Sequence, residues 1–277
     1  MSLTRRDFIS LAFGCIAGSL STAVNARPAS GTGQNTDHGS NEMILTRDDT
    51  FRVVFNLRTP VGPNIAVGTG IFVVKGDDQI YMVTANHVAK SCNRTTQVVI
   101  SDSNGNATLL KLTDFNPALS WRHHAIADVS VLPINMSPTI QPHLSKRFFP
   151  FDHFHVERTP VSRDYELTSV GFPHGLGADG MFSPLTYRSH ASSAFITLPR
   201  FDTHRPSVFF LLENPSVGGY SGCPVFDLGY MIVGAMTTAK DKTRCYGIMH
   251  GTVSDETGGK LAAVTPAFYL PELMTDG

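Results

Sequence analysis

The feature that most constrains the fold is a series of short apolar runs separated by turn residues. From residue 51 onward, β-branched and aromatic residues cluster in these runs, and Gly, Pro, Asn or Asp stands between most of them. Many short strands at such spacing predict an all-β barrel or sandwich. Helix is expected only just after His87 and over 266–274. The strand runs are 51–57, 67–74, 79–84, 97–101, 107–112, 129–134, 166–171, 194–198, 208–212 and 231–236.

The composition agrees with a compact β protein. Charged residues make up 16% of the chain and hydrophobic residues 42%, whereas roughly 25% charge is usual in soluble domains. This balance excludes disorder and coiled coil for most of the chain. The net charge is −1, and nucleic-acid binding normally needs a basic excess. We therefore expect no nucleic-acid partner.

The N-terminus has the pattern of an export signal. Arg5 and Arg6 precede an apolar stretch, 9–20, which is too short for a permanent membrane anchor. This pattern predicts a twin-arginine signal peptide over 1–26, cleaved after Ala26, and a disordered lead-in over 27–47. The mature protein is then periplasmic or secreted and has no stable membrane anchor. A lipid anchor through Cys15 is disfavoured because the residues before it lack the expected aliphatic position.

The cysteines permit at most one internal disulfide in the mature chain. Loss of Cys15 with the signal leaves Cys92, Cys223 and Cys245. A Cys223–Cys245 bridge is the more plausible pair because both residues fall in the same half of the chain. Three buried reduced thiols fit the sequence equally well.

Three short stretches contain residues suited to catalysis. His87 stands just after the run 79–84, and Asp128 directly precedes the run 129–134. Ser221 lies in the glycine-rich sequence GGYSGCP. Glycines allow a tight bend that can aim two backbone N–H groups at one point beside a serine hydroxyl. The three residues could therefore form a nucleophile, a base and an orienting acid.

The order of these residues, His, Asp, Ser, is that of chymotrypsin-type enzymes. TANH at 84–87, DVSVL at 128–132 and GYSGCP at 219–224 resemble the T-A-x-H, D-[IL]-A-[LV]-L and G-[DN]-S-G-G-P motifs of the trypsin-like serine protease family, in its bacterial branch. VGFP at 170–173 and AVTP at 263–266 resemble two further family motifs. The resemblance covers about residues 50 to 275.

The resemblance implies a domain organisation. Two six-stranded antiparallel β-barrels are expected to place the active site in the cleft between them, followed by a short C-terminal helix. The barrels are expected at 48–138 and 164–262, a proline-containing connector at 139–163 and the helix at 263–277. His87 and Asp128 would come from the first barrel and Ser221 from the second.

The resemblance also implies a mechanism. His87 would act as general base, Asp128 would orient its imidazole, and Ser221 would attack the peptide carbonyl to form an acyl-enzyme. The backbone N–H groups of Gly219 and Ser221 would form the oxyanion hole. These features predict a serine endopeptidase that acts on protein or peptide substrates and needs no metal or other cofactor. The sequence leaves the oligomeric state open.

Departures from the family motifs bear on specificity. Pro215 stands where trypsins keep the carboxylate that binds basic side chains, so cleavage after Lys or Arg is not expected. By resemblance, the substrate would add as a strand along Thr237, Thr238 and Ala239. A primary pocket edged by Pro215, Thr237 and Ala239 would take a small or apolar side chain. Tyr220 replaces the usual Asp or Asn before the serine.

Other functional classes fit less well. An α/β-hydrolase needs G-x-S-x-G, but the last position is Cys223. A zinc site on His123 and His124, or on His153 and His155, lacks a third ligand at a recognisable spacing. The alternative that stays open is a catalytically silent, protease-like module that binds a peptide without cutting it.

Overall fold

The computed structural model describes residues 47–76, 78–233, 236–239, 242–254, 256 and 258–275. The predicted signal peptide and residues 27–46 of the lead-in lie outside these residues. Within the described ranges, no helix has the length and apolar character needed to span a membrane.

The first half of the chain forms one mostly antiparallel sheet. Its strand order is β5-β4-β1-β2-β3-β7-β6, and β8 runs parallel beside β2. Four short helices, α1 to α4, lie at Arg47–Val53, Asn86–Ser91, Leu112–Phe115 and Gln141–Leu144. The strands β1 to β8 are Val54–Val61, Asn64–Lys75, Gln79–Thr84, Gln97–Ser101, Ala107–Lys111, Arg122–His123, Ser130–Pro133 and Phe149–Pro150.

The second half forms a seven-stranded sheet with the order β10-β9-β13-β16-β17-β12-β11. The strands β14 and β15 pair only with each other in a separate hairpin. Single turns of 3-10 helix occur at Phe151–His153 and Pro173–Gly175, and a longer one at Ala267–Glu272. The strands β9 to β17 are Leu167–Gly171, Leu185–Ser189, Ile196–Pro199, Pro206–Leu212, Pro224–Asp227, Tyr230–Val233, Met236–Ala239, Arg244–Ser254 and Lys260–Pro266.

Aromatic side chains join the two halves. Phe149 of β8 packs against Phe226 of β13, with ring centroids 5.2 Å apart, and Phe172 lies in the same buried cluster. Each half also has a core of its own, with Phe72 central to the first and Tyr220 in the second. Because burial of one such ring contributes about 2 kcal/mol or more, the shared cluster holds the halves together along the surface that carries the site.

The predicted fold class is confirmed: the chain is mainly β and forms two sheets with few short helices. The sheets contain eight and seven strands rather than six each, because the two-residue strands β6 and β8 extend the first and β11 extends the second. The end strands of each sheet do not pair with each other.

Several local predictions differ from the structure. Helix was expected only after His87 and at the C-terminus, but α1, α3 and α4 are further short helices, and the strands β10 and β17 were not predicted. Residues 51–53 belong to α1, so the strand predicted at 51–57 begins at Val54. The run 231–236 divides between β14 and β15. The eleven-residue strand β16 was not predicted, since Gly247 and Gly251 interrupt its apolar pattern. The C-terminal helix begins at Ala267, because residues up to Pro266 pair with β16 in β17.

Candidate active site

His87 lies in the first turn of α2, directly after β3. Ala85 keeps an extended conformation (φ −66°, ψ 144°), so the chain changes from strand to helix at Asn86. The first N–H groups of a helix lack partners inside the helix. The N–H of His87 donates to Asp128 Oδ1 at 3.0 Å, and this bond fixes the helix start against the aspartate. The imidazole stays 19% exposed.

The carboxylate of Asp128 is fully buried and accepts four hydrogen bonds. Besides the backbone of His87, its partners are His87 Nδ1 at 2.7 Å, His250 Nδ1 at 2.5 Å and the Arg200 guanidinium at 3.0 Å. Burial by itself raises the pKa of Asp128, but the hydrogen bonds and charges of His250 and His87 outweigh it and hold that pKa well below its usual value. Asp128 is therefore ionised.

The ionised carboxylate determines where the imidazole protons lie. A carboxylate only accepts hydrogen bonds, so His87 and His250 both carry a proton on Nδ1. This leaves Nε2 of His87 as an acceptor. Nε2 of His250 receives the N–H of Phe201 at 3.4 Å. His87 therefore has the tautomer that a general base needs.

Ser221 lies in a tight loop between two glycines with positive φ, Gly219 (+97°) and Gly222 (+89°). A side chain at Gly222 would overlap the backbone of Thr69, and one at Gly219 the backbone of Phe172. Only glycine can therefore bring this loop so close to both halves. The N–H of Thr69 also donates to the Ser221 carbonyl at 2.9 Å.

The hydroxyl of Ser221 donates to the carbonyl of His250 at 3.1 Å. Among the described residues this is its one hydrogen bond, and none joins it to His87. A serine hydroxyl turns about a single bond with three staggered positions. Rotation of Ser221 away from His250 is thus required before the base can take its proton.

The backbone amides of Gly219 and Ser221 have no hydrogen-bond partner among the described residues. The carbonyls of the same peptide units are occupied: Gly218 O accepts from His174 N at 2.6 Å, and Tyr220 O accepts from Cys223 N at 2.8 Å. These bonds fix the orientation of the peptide planes. Both N–H groups therefore remain available to an oxyanion beside the nucleophile.

Tyr220 anchors the loop of Ser221 to β10. Its ring is buried and stacks on Tyr187 with centroids 5.0 Å apart, and its hydroxyl donates to Leu185 O at 2.9 Å. Burial raises the pKa of the Tyr220 phenol well above its usual value. Tyr220, at the position where the family has Asp or Asn, therefore contacts β10 as an uncharged side chain.

Of the two alternatives that the sequence left open for Cys223 and Cys245, a bridge and reduced thiols, the structure has the reduced thiols. Both thiols are free and fully buried. Burial raises the pKa of Cys245 to about 12 and that of Cys223 well above its usual value. Both residues are hence neutral, unreactive thiols that pack within the second sheet.

Pro215 lines a narrow cavity below the nucleophile loop, together with Tyr220 and Met249. The cavity has a volume of about 10 Å³, which is room for about one water molecule. The hydroxyl of Thr252 donates to Ser216 O at 2.6 Å. This hydrogen bond joins β16 to the segment that carries Pro215, on one side of the loop of Ser221.

The strand beside Ser221 is β16 rather than β15. Gly222 N donates to Met249 O at 2.8 Å, whereas Thr237, Thr238 and Ala239 lie in β15 and pair only with β14. Hence the structure does not bring the segment expected from the sequence to the site through any described contact. The part of β16 that follows His250 occupies this place.

Comparison with known proteins identifies the family of the chain. The sequence profile of the trypsin-like peptidase domain matches residues 68–234, more than half of the chain. The chain belongs to the trypsin-like peptidase family. No curated protein matches the sequence of this family member.

Solved structures agree in fold. The protease Rv3671c of Mycobacterium tuberculosis, in its active form, is 17% identical with a TM-score of 0.55, over 82% of this chain and 81% of that one. Its inactive form is 18% identical with a TM-score of 0.52, over 82% and 92% of the two chains. At 17–18% identity, this similarity shows that the trypsin-like peptidase shares the fold of these structures and nothing further.

Two residues that hold Asp128 were missed by the sequence analysis. Arg200 lies in the turn between β11 and β12 and also contacts Asp202 at 2.5 Å, and His250 lies in the unpredicted strand β16. No local motif marks either residue. The only available signal was the apolar run around His250, which identifies a buried strand.

His87, Asp128 and His250 also place ligand atoms within 4.8 Å of one another. In this trypsin-like peptidase those atoms already form a hydrogen-bonded array, and the Arg200 guanidinium bonds the other oxygen of Asp128. To bind there, a cation would have to replace the Nδ1 protons of His87 and His250 beside the positive charge of Arg200. The donor set therefore fits proton chemistry better than a metal ion.

Proposed function

We propose that the protein is a serine endopeptidase that cleaves peptide bonds through His87, Asp128 and Ser221. The observation that carries this proposal is the His87–Asp128 hydrogen bond at 2.7 Å beside a serine whose loop presents two unpaired amides. Membership of the trypsin-like peptidase family supports it.

The reaction follows from the tautomer of His87. The Ser221 hydroxyl turns to His87 Nε2 and gives it the proton as Oγ bonds to the substrate carbonyl carbon. The negative oxygen is held by the amides of Gly219 and Ser221, and loss of one such donor costs about 3 kcal/mol in comparable sites. Collapse breaks the C–N bond, and His87 returns its proton to the departing amine.

Hydrolysis of the acyl-enzyme repeats these steps with water. His87 takes a proton from water as the water oxygen bonds to the acyl carbon. Collapse of this second intermediate breaks the bond between the acyl carbon and Ser221 Oγ, and His87 returns the proton to Oγ. Asp128 stays ionised throughout because its hydrogen bonds lower its pKa. Its role is to hold the Nδ1 proton of His87 and to stabilise the imidazolium.

Substrate contacts are proposed along residues 251–253 of β16. One edge of this segment pairs with β17, whereas the pairing with β13 ends at Ile248, and an extended peptide can add along the other edge. Pro215 and the small cavity beside it favour a small or apolar side chain before the cleaved bond and disfavour Lys or Arg. The segment Thr237–Ala239 is not required for this binding.

Labelling with a fluorophosphonate tests the proposed nucleophile. The protein should be labelled at Ser221, and Ser221→Ala should remove both labelling and peptidase activity, with a loss on the order of a million-fold in turnover. Ser145→Ala, at an exposed serine of the connector, is the matched control and should behave as wild type. A peptide library with mass-spectrometric detection would report the cleaved bonds.

A silent peptide-binding module is the second candidate. It is favoured by the hydrogen bond from Ser221 to His250 O, which points the hydroxyl away from the base. A folded protein that binds peptides, resists labelling and cleaves nothing in the library would support this candidate and contradict the endopeptidase.

Export through the twin-arginine route, to the periplasm or medium, is likewise proposed from Arg5 and Arg6. Full-length chain expressed in a bacterium should be cut after Ala26, as N-terminal sequencing of the exported form would show. Replacement of both arginines by lysine should leave the precursor uncut in the cytoplasm. Export at the wild-type level by that variant would contradict the route.

A further inference from the structure

A large cavity is lined by Asn86, which immediately precedes His87, and by residues of the β11–β12 turn. Its volume is about 520 Å³. Residues 123–126, before β7, form one wall, and the turn between β11 and β12 forms the other. The lining residues that matter here are Asn86, Lys90, His123, Arg200, Thr203 and Arg205. We call it the basic cavity.

The basic cavity has unbalanced positive charge. Lys90 and Arg205 are exposed, and within the described ranges neither side chain forms a hydrogen bond or ion pair. None of the described residues that line the cavity is Asp or Glu. Arg200 also lines it, but its guanidinium already contacts Asp128 and Asp202. The two exposed cations are thus available to an anion.

His123 and His124 line the basic cavity but supply no negative charge that would balance Lys90 and Arg205. His123 Nδ1 lies 2.8 Å from Asn86 Oδ1, which can only accept, so its proton is on that nitrogen. His124 Nε2 contacts Glu272 at 2.9 Å. Burial, followed by the charge of Lys90, lowers the pKa of His123. With His123 neutral and Arg200 paired with Asp128 and Asp202, Lys90 and Arg205 are the lining cations without a partner among the described residues.

The basic cavity is joined directly to the catalytic groups. Asn86 immediately precedes His87 and is buried, and Arg200 donates to Asp128 at 3.0 Å. Phe201, next to Arg200, packs edge-on against the His87 ring at 4.8 Å. A peptide bound at Ser221 would therefore have residues near this cavity. Closeness to the catalytic groups favours a ligand that belongs to the bound peptide over a free anion.

We propose that the basic cavity is a substrate subsite that binds the carboxylate of an Asp or Glu side chain near the cleaved bond. Lys90 and Arg205 supply the recognising charges. The inference rests on the proposed peptidase function, because the bound carboxylate belongs to the peptide held at Ser221. It gives the protein a preference for acidic segments that the narrow cavity beside Pro215 does not supply.

The test uses peptides that differ only by Glu or Gln, with that residue moved through each position flanking the cut. At one position the kcat/KM of the Glu peptide should exceed that of the Gln peptide by about tenfold at low salt, and by less at high salt. The double variant Lys90→Glu, Arg205→Glu should lose this preference and favour a Lys peptide. Fluorophosphonate labelling at the wild-type rate would establish that its catalytic groups remain intact.

A matched control changes the same charge elsewhere. Arg163→Glu with Lys260→Glu alters two exposed cations outside the basic cavity and should keep the Glu preference. Equal kcat/KM for Glu and Gln peptides at every position would overturn the proposal. So would a Glu preference that persists in the double variant.

A binding measurement separates this proposal from the catalytic one. Ser221→Ala chain should bind the fluorescein-labelled Glu peptide about tenfold more tightly than the Gln peptide by anisotropy, and the added charge reversals should remove the difference. This result is independent of cleavage, so it decides the subsite even if labelling of wild type fails. Binding of inorganic phosphate with no preference between the two peptides would identify a free-anion site and overturn the substrate subsite.

Discussion

His250 donates its Nδ1 proton to Asp128 Oδ2 at 2.5 Å, and the same oxygen accepts the Nδ1 proton of His87 at 2.7 Å. His250 is buried beneath Phe209, which stacks on it at 4.8 Å, and beside Phe201 at 4.4 Å. The second sheet therefore contributes two charged or polar donors, His250 and Arg200, to an acid that belongs to the first half. The site is held together across the interface between the halves.

His250 acts as a positioning residue in the proposed reaction. We expect His250→Ala to lower kcat about tenfold with little change in KM, because one strong hydrogen bond to Asp128 is lost. The vacated volume should also lower the free energy of unfolding by about 2–4 kcal/mol. Steady-state kinetics and urea unfolding would measure both.

His250→Asn is the matched variant, since its amide N–H can occupy the place of Nδ1–H. It should recover most of kcat while remaining destabilised. Equal kcat for the Ala and Asn variants would contradict a role in holding Asp128.

Arg200 should be essential for stability. Its side chain is 3% exposed, and it bonds two carboxylates, Asp128 and Asp202. Arg200→Met leaves both without their cation, which should lower the free energy of unfolding by about 3–5 kcal/mol in urea titrations. Arg205→Met, in the same turn but exposed, should change it by about 0.5 kcal/mol or less. Similar losses in the two variants would show that the buried ion pairs contribute little.

Asp128 should make the folded protein sensitive to acid. Its folded pKa lies well below the ordinary value of about 4. The ionised form therefore stabilises the fold above about pH 4, and this stabilisation is lost as the pH falls toward the folded pKa. One such group changes the free energy of unfolding by at most about 1.4 kcal/mol per pH unit.

Unfolding of wild type and Asp128→Asn, measured between about pH 2 and 5, tests this linkage. The variant should have a smaller pH slope. Asp179→Asn removes a carboxylate whose pKa is lowered by Arg58 at the surface, and its effect on the slope should be slight because solvent screens exposed pairs. Identical slopes in wild type and Asp128→Asn would refute the prediction.

In the proposed reaction, Thr252 should limit the size of the side chain accepted before the cleaved bond, because its hydroxyl holds Ser216, which lines the narrow cavity beside Pro215, against β16. Thr252→Ala removes the hydrogen bond to Ser216 O and should raise kcat/KM for Leu or Phe substrates relative to Ala substrates by about tenfold. Thr252→Ser keeps the hydroxyl and should retain the wild-type ratio. An unchanged ratio in Thr252→Ala would place the primary pocket elsewhere.

Local patterns determined much of the fold. The hairpin of β2 and β3 and the strand β4 follow from β-branched runs bounded by turn residues, and β4 has the predicted bounds. These signals depend only on neighbouring residues. Where the pattern was interrupted by glycine, as in β16, the strand is stabilised by pairing with β13 and β17 instead. Such long-range pairing leaves little trace in the local sequence.

The sequence by itself determined the β class and the residues His87, Asp128 and Ser221 as candidates, because short motifs and their order specify them. Only the tertiary structure decided which groups surround Asp128. Arg200 and His250 lie 72 and 122 positions from it along the chain. Their contact exists because the two halves share one buried cluster and enclose the carboxylate of Asp128. A buried carboxylate needs hydrogen-bond donors, and here residues distant in the sequence supply them.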